Sequence, residues 1–271
     1  MIGVAPGAVG DPAREEATLT QRVTAQERVL ARHRRAFVWS LFLLGACAAS
    51  LFAVGRHPPE LAPVTTVPFI GRFDLSVYHW ADDVANTPLT WICKGLNFIG
   101  SGAVTIPFRI AVTVYLLFRR WWLRATAFAI TWAVSEISLT VLKDYFHRGR
   151  PIDPLVAIKG YSFPSGHAVA ASATAVALVL ALMPAGPRRR RWEWLAIGFT
   201  FVMAVSRVYL HAHWFSDTVA GVLLGAGIAI FVFAAATEIR DIIFREEGTP
   251  IPEDRTAPEA GEPFSGDPAR S

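Results

Sequence analysis

The chain alternates between long apolar segments and short polar connections. Six segments each approach the roughly 20 mostly apolar residues that a membrane-spanning helix needs. They lie near 36–54, 97–118, 121–142, 165–184, 193–210 and 215–236. A lipid-exposed chain must satisfy its backbone hydrogen bonds within each segment. The pattern therefore predicts an all-α protein, a bundle of six transmembrane helices.

The connection between the first two predicted spans is longer than the others and covers residues 55–90. Its start is rich in proline, and its second half carries apolar residues at helical spacing. These residues are Phe73, Val77, Tyr78, Trp80, Ala81 and Val84. The spacing predicts a short interfacial helix lying on the membrane between the first and second spans. An ordered loop that caps the bundle is the alternative.

The two ends of the chain differ from the apolar middle. Residues 1–20 and 247–271 are rich in Gly, Pro, Ala and acidic residues without periodicity. Such segments cannot bury enough apolar surface to order themselves, so both are predicted to be disordered tails. The membrane domain is predicted to cover 21–240.

Composition supports a membrane protein. The 271 residues are 53% hydrophobic and 18% charged, with a mean hydropathy of +0.37. Soluble domains are nearer 45–50% apolar and about 25% charged. The net charge of +4 comes from arginines in short clusters, which does not resemble a nucleic-acid-binding surface. Cys47 and Cys93 have no metal-type spacing and predict no disulfide framework.

The arginine clusters also predict an orientation. They precede the first span, separate the second from the third and the fourth from the fifth, and follow the sixth. Their members are Arg22, Arg28, Arg32, Arg34, Arg35, Arg119, Arg120, Arg124, Arg188 to Arg191, Arg240 and Arg245. With six spans all of them share one side, which the positive-inside rule makes cytoplasmic. Both termini are then cytoplasmic. The connection after the third span breaks the rule, with Lys143, Arg148, Arg150 and Lys159 on the outer side.

A second interpretation of the N-terminal region is a lipoprotein signal. Leu44-Gly45-Ala46-Cys47 resembles a lipoprotein cleavage box. However, 35 residues precede the apolar run, which is too long for an ordinary signal peptide, and the run continues to Val54. A membrane span is the better interpretation.

Three polar clusters fall at the predicted outer ends of the spans. The first is Lys143-x6-Arg150-Pro151, the second is Pro164-Ser165-Gly166-His167, and the third is Ser206-Arg207-x5-His213-x3-Asp217. They are far apart in sequence but share one membrane depth. This convergence predicts a single extracytoplasmic site.

The cations of these clusters predict a phosphate ligand. Lys143, Arg150 and Arg207 bring three positive charges together, and guanidinium groups match phosphate oxygens in paired hydrogen bonds. Ser165 occupies the position of a helix N-cap, and Gly166 lets a ligand approach the backbone. The free N–H groups of that helix N-terminus would point at the same anion.

The histidines predict phosphoryl transfer. His213 and Asp217 are four residues apart and would share a helix face, where the carboxylate can fix the imidazole tautomer. The other ring nitrogen of His213 would then attack phosphorus and form a phosphohistidine. His167, on a different helix, would protonate the leaving oxygen as a general acid. The scheme requires no metal and no cofactor.

A metal site is the rival use of the same histidines. His167, His211, His213 and Asp217 carry side chains that suit zinc or similar ions. A metal leaves the three clustered cations unexplained, and positive charge disfavours a second cation nearby. The phosphate site is therefore preferred.

Two charges fall inside predicted spans, where ionisable groups are costly and usually paired. Arg109 lies in the second span and Glu136 in the third. We expect them to face each other inside the bundle. The alternative is that Arg109 extends to an interface.

The three clusters resemble the signature motifs of the type 2 phosphatidic acid phosphatase superfamily, with every signature residue present at intact spacing. The resemblance covers roughly 90–236. It implies a six-helix membrane bundle with an outward-facing site. It also implies that Lys143, Arg150 and Arg207 bind phosphate, with Ser165 and Gly166 cradling it. His167 would protonate the leaving group, and Asp217 would orient the nucleophile His213.

The resemblance implies a lipid substrate without choosing it. Family members act on phosphatidic acid, phosphatidylglycerophosphate or isoprenyl diphosphates such as undecaprenyl diphosphate. We expect an integral-membrane phosphatase that hydrolyses such a group at the extracytoplasmic face. A lipid phosphotransferase of the same family is the first alternative, and a non-catalytic binder or transporter of lipid headgroups is the second. The oligomeric state does not follow from the sequence.

Overall fold

In a computed structural model, residues 34–49 and 69–246 are described, and within these ranges every regular element is a helix. This confirms the all-α class. The predicted tails, 1–20 and 247–271, lie outside the described residues, as does the end of the first predicted span. The helices are α1 34–49, α2 Phe69–Asp83, α3 Thr87–Ile99, α4 Gly102–Phe118, α5 Trp122–Phe146, α6 Gly166–Leu182, α7 Pro187–Tyr209 and α8 Phe215–Glu246.

The connection 55–90 contains the helix that its apolar spacing predicts, as α2. It also contains the first four residues of α3, and the last three residues of α3 fall within the second predicted span. Asn86 caps α3 by accepting a hydrogen bond from the Leu89 amide, and the chain then bends by 48° between α3 and α4. Both helices are apolar, so hydropathy alone runs through the bend at Gly100 and Ser101.

Membrane-spanning length is met by fewer helices than the six predicted. Within the described residues, α5 and Phe215–Ile243 of α8 are long and apolar enough to cross a membrane, and the bent α3–α4 pair makes a third if it counts as one span. The apolar helix α6 has 17 residues. The six-span bundle therefore stays a prediction.

Helix α7 begins six residues earlier than the fifth predicted span. Its first turns contain Arg188 to Arg191, which the sequence placed in a connection. Proline is favoured in the first turn of a helix, and arginine is a good helix former. Pro187 and the arginines after it therefore extend the helix past the point where hydropathy ends.

Helix α6 lies at the centre and packs against α5, α7 and α8. Its crossing with α8 is very close. A Cβ atom on Gly221 would lie 2.8 Å from the Ser165 carbonyl oxygen, and one on Gly225 would lie 2.2 Å from Ser172 Oγ. Small residues permit such backbone contact between apolar helices. The crossing brings the N-terminal ends of α6 and α8 together.

The expected pairing of Arg109 with Glu136 is confirmed. Arg109 Nη1 lies 2.7 Å from Glu136 Oε1, and the Arg109 side chain is 1% exposed. Arg109 Nε also donates to Thr174 Oγ1 on α6 at 2.9 Å. One buried guanidinium thus connects α4, α5 and α6.

Candidate active site

The three sequence clusters meet at one end of the central helices. Each predicted site residue lies in a terminal turn or in a connection, on the side where α5 and α7 end and α6 and α8 begin. Lys143 is in the last turn of α5, Arg150 follows it, Ser165, Gly166 and His167 open α6, Arg207 is in the last turn of α7, His213 precedes α8 and Asp217 is in its first turn.

His213 is buried and held in one tautomer. Its Nε2 lies 3.2 Å from Arg150 Nη1, and its Nδ1 lies 2.8 Å from the carbonyl oxygen of Ser162. A guanidinium can only donate, so Nε2 is the acceptor and Nδ1 carries the proton. Burial and the charges of Arg150 and Arg207 lower the pKa of His213 to about 3, against the opposing effect of Asp217. At neutral pH the imidazole is therefore neutral, and the lone pair of Nε2 accepts a hydrogen bond from Arg150.

Asp217 is placed differently from the prediction. Its Oδ2 lies 3.7 Å from His213 Nδ1, which is beyond hydrogen-bond distance, and the Ser162 carbonyl takes that proton instead. The expectation of a shared helix face is wrong, because α8 begins at Phe215 and His213 precedes it. The buried carboxylate accepts hydrogen bonds from Ser162 Oγ, Arg148 Nη1 and, at 2.9 Å, the Trp214 amide.

Arg207 is fully buried and only partly satisfied. Its Nη1 donates to Asn97 Oδ1 at 2.6 Å, whereas its Nε and Nη2 have no hydrogen-bond partner among the residues that the structure describes. Unsatisfied buried donors are costly and need an explanation. An anion between Arg207 and the other cations would satisfy both atoms.

Arg150 is held by backbone carbonyls. It donates to Gly160 at 2.9 Å, Tyr161 at 3.0 Å and Ala212 at 2.6 Å, which fixes its guanidinium beside His213. The charges of Lys143 and Arg207 both lie close enough to repel that of Arg150. Among residues 34–49 and 69–246, no ion pair joins any of these three cations to a carboxylate.

The N-terminus of α6 completes an anion-binding geometry. Ser165 is the N-cap residue, as expected, but its Oγ makes no capping bond and, within 34–49 and 69–246, has no hydrogen-bond partner although it is fully buried. His167, in the first turn, places Nε2 3.1 Å from the carbonyl oxygen of Asn97. The charges of Lys143, Arg150 and Arg207 all act on His167. A free hydroxyl, a helix N-terminus and three cations therefore surround one position.

Several residues of the site were missed by sequence reasoning. Asn97 contacts both Arg207 and His167, and Ser162 contacts both His213 and Asp217. Neither belongs to a motif with recognisable spacing, so the sequence held no signal for them. The sequence placed Arg148 on the outer side with the other cations but gave it no role in the site. It is buried against carboxylates.

The alternative metal site is not assembled. His211 stacks on the Tyr78 ring at 4.3 Å and places Nε2 3.5 Å from Asp82 Oδ1, so its partners differ from those of His213. In the part of the chain that the structure describes, no group of three or more His, Cys, Asp or Glu side chains lies close enough to hold a metal ion.

The residues of this site lie in a segment that matches a known family model. The family model of the PAP2 superfamily matches residues 124–241, a segment that contains all eight predicted site residues. Phosphatidylglycerophosphatase B of Bacillus subtilis (strain 168) is 25% identical over 142 residues, covering 51% of this chain and 70% of that protein.

Two solved structures are similar in fold. A transmembrane PAP2-type phosphatidylglycerolphosphate phosphatase from Bacillus subtilis superposes with a TM-score of 0.64 at 21% identity, covering 74% of this chain and 96% of that one. Aquifex aeolicus LpxE superposes with a TM-score of 0.50 at 20% identity, covering 58% and 93%. The helical fold of this chain is therefore similar to that of these two solved proteins.

Proposed function

We propose that this chain, a member of the PAP2 superfamily, is an integral-membrane phosphatase that hydrolyses a phosphomonoester or diphosphate on a lipid through a phosphohistidine at His213. The observation that carries the proposal is the buried, neutral imidazole of His213 beside cations that have no carboxylate partner in the described ranges. A phosphate group supplies the missing negative charge. A neutral Nε2 is the form that attacks phosphorus.

The reaction runs in two displacements. In the first, Nε2 of His213 forms a bond to phosphorus and the bond from phosphorus to the lipid oxygen breaks. The leaving oxygen takes a proton from His167, whose protonated form is opposed by burial and by the three cations in the free protein and favoured by the negative charge of the bound phosphate. In the second, water attacks phosphorus, the P–N bond breaks, and the proton of that water returns to His167. Lys143, Arg150 and Arg207 hold the phosphoryl oxygens throughout, with Ser165 Oγ and the backbone at Gly166.

Asp217 acts on His213 through its charge and through Ser162. Its carboxylate binds the Ser162 hydroxyl, and the Ser162 carbonyl accepts the Nδ1 proton of His213. At 3.7 Å the negative charge of Asp217 also favours the positive imidazolium that forms when phosphorus bonds to Nε2.

An apolar cavity beside His167 fits the lipid part of the substrate. It has a volume of about 350 Å³ and lies between the α3–α4 bend, α6 and α7, with Gly100, Phe108, Ala175, Phe199 and Met203 among its lining residues. A Cβ on Gly100 would lie 2.5 Å from His167 Cδ2, so the cavity begins at the residue that protonates the leaving oxygen. In a lipid phosphate the hydrocarbon chains belong to the leaving group, so the cavity lies where they would extend.

The proposed location rests on the arginine pattern of the sequence with six spans. The positive-inside rule puts both termini in the cytoplasm and the site at the extracytoplasmic face of the cell membrane. The relatives named phosphatidylglycerophosphatase make phosphatidylglycerophosphate the first lipid to test, followed by phosphatidic acid and an isoprenyl diphosphate.

The test is phosphate release from these lipids by the purified protein in detergent, with and without a chelator. We expect release that is unaffected by the chelator and is abolished in His213→Ala. His79→Ala, an exposed histidine on α2, is the matched control and should keep full activity. Full activity of His213→Ala would contradict the covalent mechanism, and loss of activity with chelator would favour a metal.

The same assay distinguishes the alternatives. A phosphotransferase would move labelled phosphate to an added alcohol in preference to water. A headgroup binder would bind lipid phosphate but release no inorganic phosphate, and His213→Ala would leave its lipid binding unchanged.

The cavity has its own test. Ala175→Phe would fill it, while Ala133→Phe adds the same bulk on an exposed position of α5. We expect Ala175→Phe to raise KM about 10-fold or more for a long-chain lipid phosphate, since each lost methylene contact is worth about 0.8 kcal/mol. Hydrolysis of a soluble aryl phosphate should be unchanged in both variants. An equal loss on both substrates would mean that the cavity does not bind the chain.

A further inference from the structure

Helix α2 lies outside the segment that matches the PAP2 family model, yet it contributes a buried carboxylate next to the site. Asp74 is 1% exposed. Its Oδ1 accepts a hydrogen bond from the Ser216 amide at 2.8 Å, and its Oδ2 accepts from Ser216 Oγ at 2.6 Å. A buried carboxylate is tolerated only when it is paired, and Asp74 finds its charge partner in Arg148.

Arg148 connects Asp74 to the catalytic centre. Its Nη2 lies 2.8 Å from Asp74 Oδ2, while its Nη1 pairs with Asp217 Oδ1 and donates to Ser216 Oγ at 2.8 Å. The guanidinium is 1% exposed and packs 5.7 Å from the centre of the Trp214 ring. One arginine is thus shared between two fully enclosed carboxylates.

The charges of this group have a consequence for His213. One guanidinium and two carboxylates carry a net charge of −1, whereas Arg148 and Asp217 alone would be neutral. During catalysis His213 gains positive charge when its Nε2 bonds to phosphorus, and a net negative group beside it stabilises that state. Without Asp74, the positive charge of Arg148 would neutralise the negative charge of Asp217.

We propose that Asp74 is a positioning residue for the phosphatase reaction: it holds Arg148 between α2 and α8, so that Asp217 keeps both its orientation and its negative charge toward His213. Asp74 touches neither His213 nor the phosphate position. It acts through Arg148 and Ser216. The inference rests on the proposed function and adds α2 to the elements that the reaction requires.

Docking of α2 does not depend on Asp74 alone. The Phe73 ring packs edge-on against Phe215 at 5.3 Å, and Tyr78 packs against the rings of His211 and Trp214 at 4.3 and 5.9 Å. These contacts hold the helix over the His213 connection. Replacing the Asp74 carboxylate by an amide of the same shape therefore removes the charge and leaves the helix in place.

The experiment is a double-mutant cycle on phosphate release, with Asp74→Asn, Asp217→Asn and the double variant. We expect Asp74→Asn to lower kcat about 10- to 100-fold with KM within about 2-fold, as for an interaction made only in the transition state. In the Asp217→Asn background, Asp74→Asn should cost less than about 2-fold, because its effect passes through Asp217. Asp83→Asn, exposed at the end of the same helix, should match the wild type.

Two results would overturn the inference. One is full kcat in Asp74→Asn, and the other is the same fold-loss in the wild-type and Asp217→Asn backgrounds, which a purely structural role would give. If Asp74→Asn does not fold, Ser216→Ala is the second variant, because it removes the hydroxyl that joins Asp74 to Arg148. Its loss of kcat should be smaller and should likewise disappear in the Asp217→Asn background. If wild-type protein releases no phosphate, the proposed function fails. If only the cycle fails, the function stands without this role for Asp74.

Discussion

Arg148 and Arg207 are the same residue type, lie in the same region and are equally buried, but their surroundings differ. Arg148 pairs with Asp74 and Asp217. Arg207 contacts the amide oxygen of Asn97 and leaves two donors without a partner in the described ranges. The first guanidinium is part of the protein's own charge balance. The second lacks an anion, so it is the one that a ligand must complete.

The largest expected difference between these two arginines is that removal of Arg207 lowers activity, whereas removal of Arg148 lowers stability. Arg207→Ala should lower kcat/KM about 100- to 1000-fold, as for loss of a donor to a charged transition state, with little change in thermal stability. Arg148→Ala should instead unfold the protein or lower its stability by about 3–5 kcal/mol, because it leaves two buried carboxylates unpaired. Phosphate release and the thermal unfolding midpoint in detergent measure both effects.

Arg72→Ala is the control for these substitutions, since Arg72 is exposed on α2. It should change neither activity nor stability. If Arg207→Ala destabilised the protein as much as Arg148→Ala, the distinction between the two cations would be wrong.

A smaller change would make Arg207 resemble Arg148. Asn97→Asp replaces the amide that contacts Arg207 by a carboxylate and supplies the missing negative charge from within the protein. We expect KM for the lipid phosphate to rise about 10-fold, since substrate must then compete with a fixed anion. Ser76→Asp adds the same charge on the exposed face of α2 and should leave KM unchanged. An unaltered KM in Asn97→Asp would mean that Arg207 does not bind the phosphate.

Inorganic phosphate should stabilise the protein through Arg207. A ligand that binds only the folded state raises the unfolding free energy by about 2.7 kcal/mol at 100 times its Kd. We therefore expect a rise of a few degrees in the unfolding midpoint with phosphate, relative to chloride at the same ionic strength. The rise should disappear in Arg207→Ala. An equal rise in that variant would show that phosphate acts elsewhere.

Burial of neutral His213 should make the stability of the protein depend on pH. Its pKa is about 3 in the folded protein and near 6.5 when unperturbed, so between these values the unfolded chain binds a proton that the folded protein does not. The unfolding free energy therefore falls as the pH falls below about 6.5. His213→Gln should flatten this part of the pH profile of the unfolding midpoint. An identical profile in wild type and variant would contradict a neutral, buried His213.

Sequence reasoning picked out the residues that we propose to bind phosphate, and it missed the residues that contact and support them. Lys143, Arg150 and Arg207 stand out because chemistry fixes their type and spacing. Asp74 and Asn97 lie on α2 and α3, at positions that only tertiary packing brings to the site. Nothing in the order of residues records that Asp74 meets Arg148, which is 74 positions away.

The fold was likewise predictable in part: the helices could be read from the sequence, but a bend and one helix start could not. Apolar runs predicted the helices, and the costly charges Arg109 and Glu136 predicted their own pairing. Hydropathy missed the bend between α3 and α4 because both sides of it are apolar. It also placed the start of α7 too late in the chain, because arginines extend a helix without adding hydropathy.

The most direct test of the central claim is to trap the covalent intermediate. The protein in excess is mixed with a lipid carrying radiolabelled phosphate, quenched in alkali within milliseconds to seconds, and digested for peptide mapping. We expect label on His213 through an acid-labile, base-stable N–P bond that forms and decays at rates consistent with turnover. No label should appear in His213→Ala. Label on another residue, or turnover by wild-type protein with no protein-bound phosphate at any time, would contradict it.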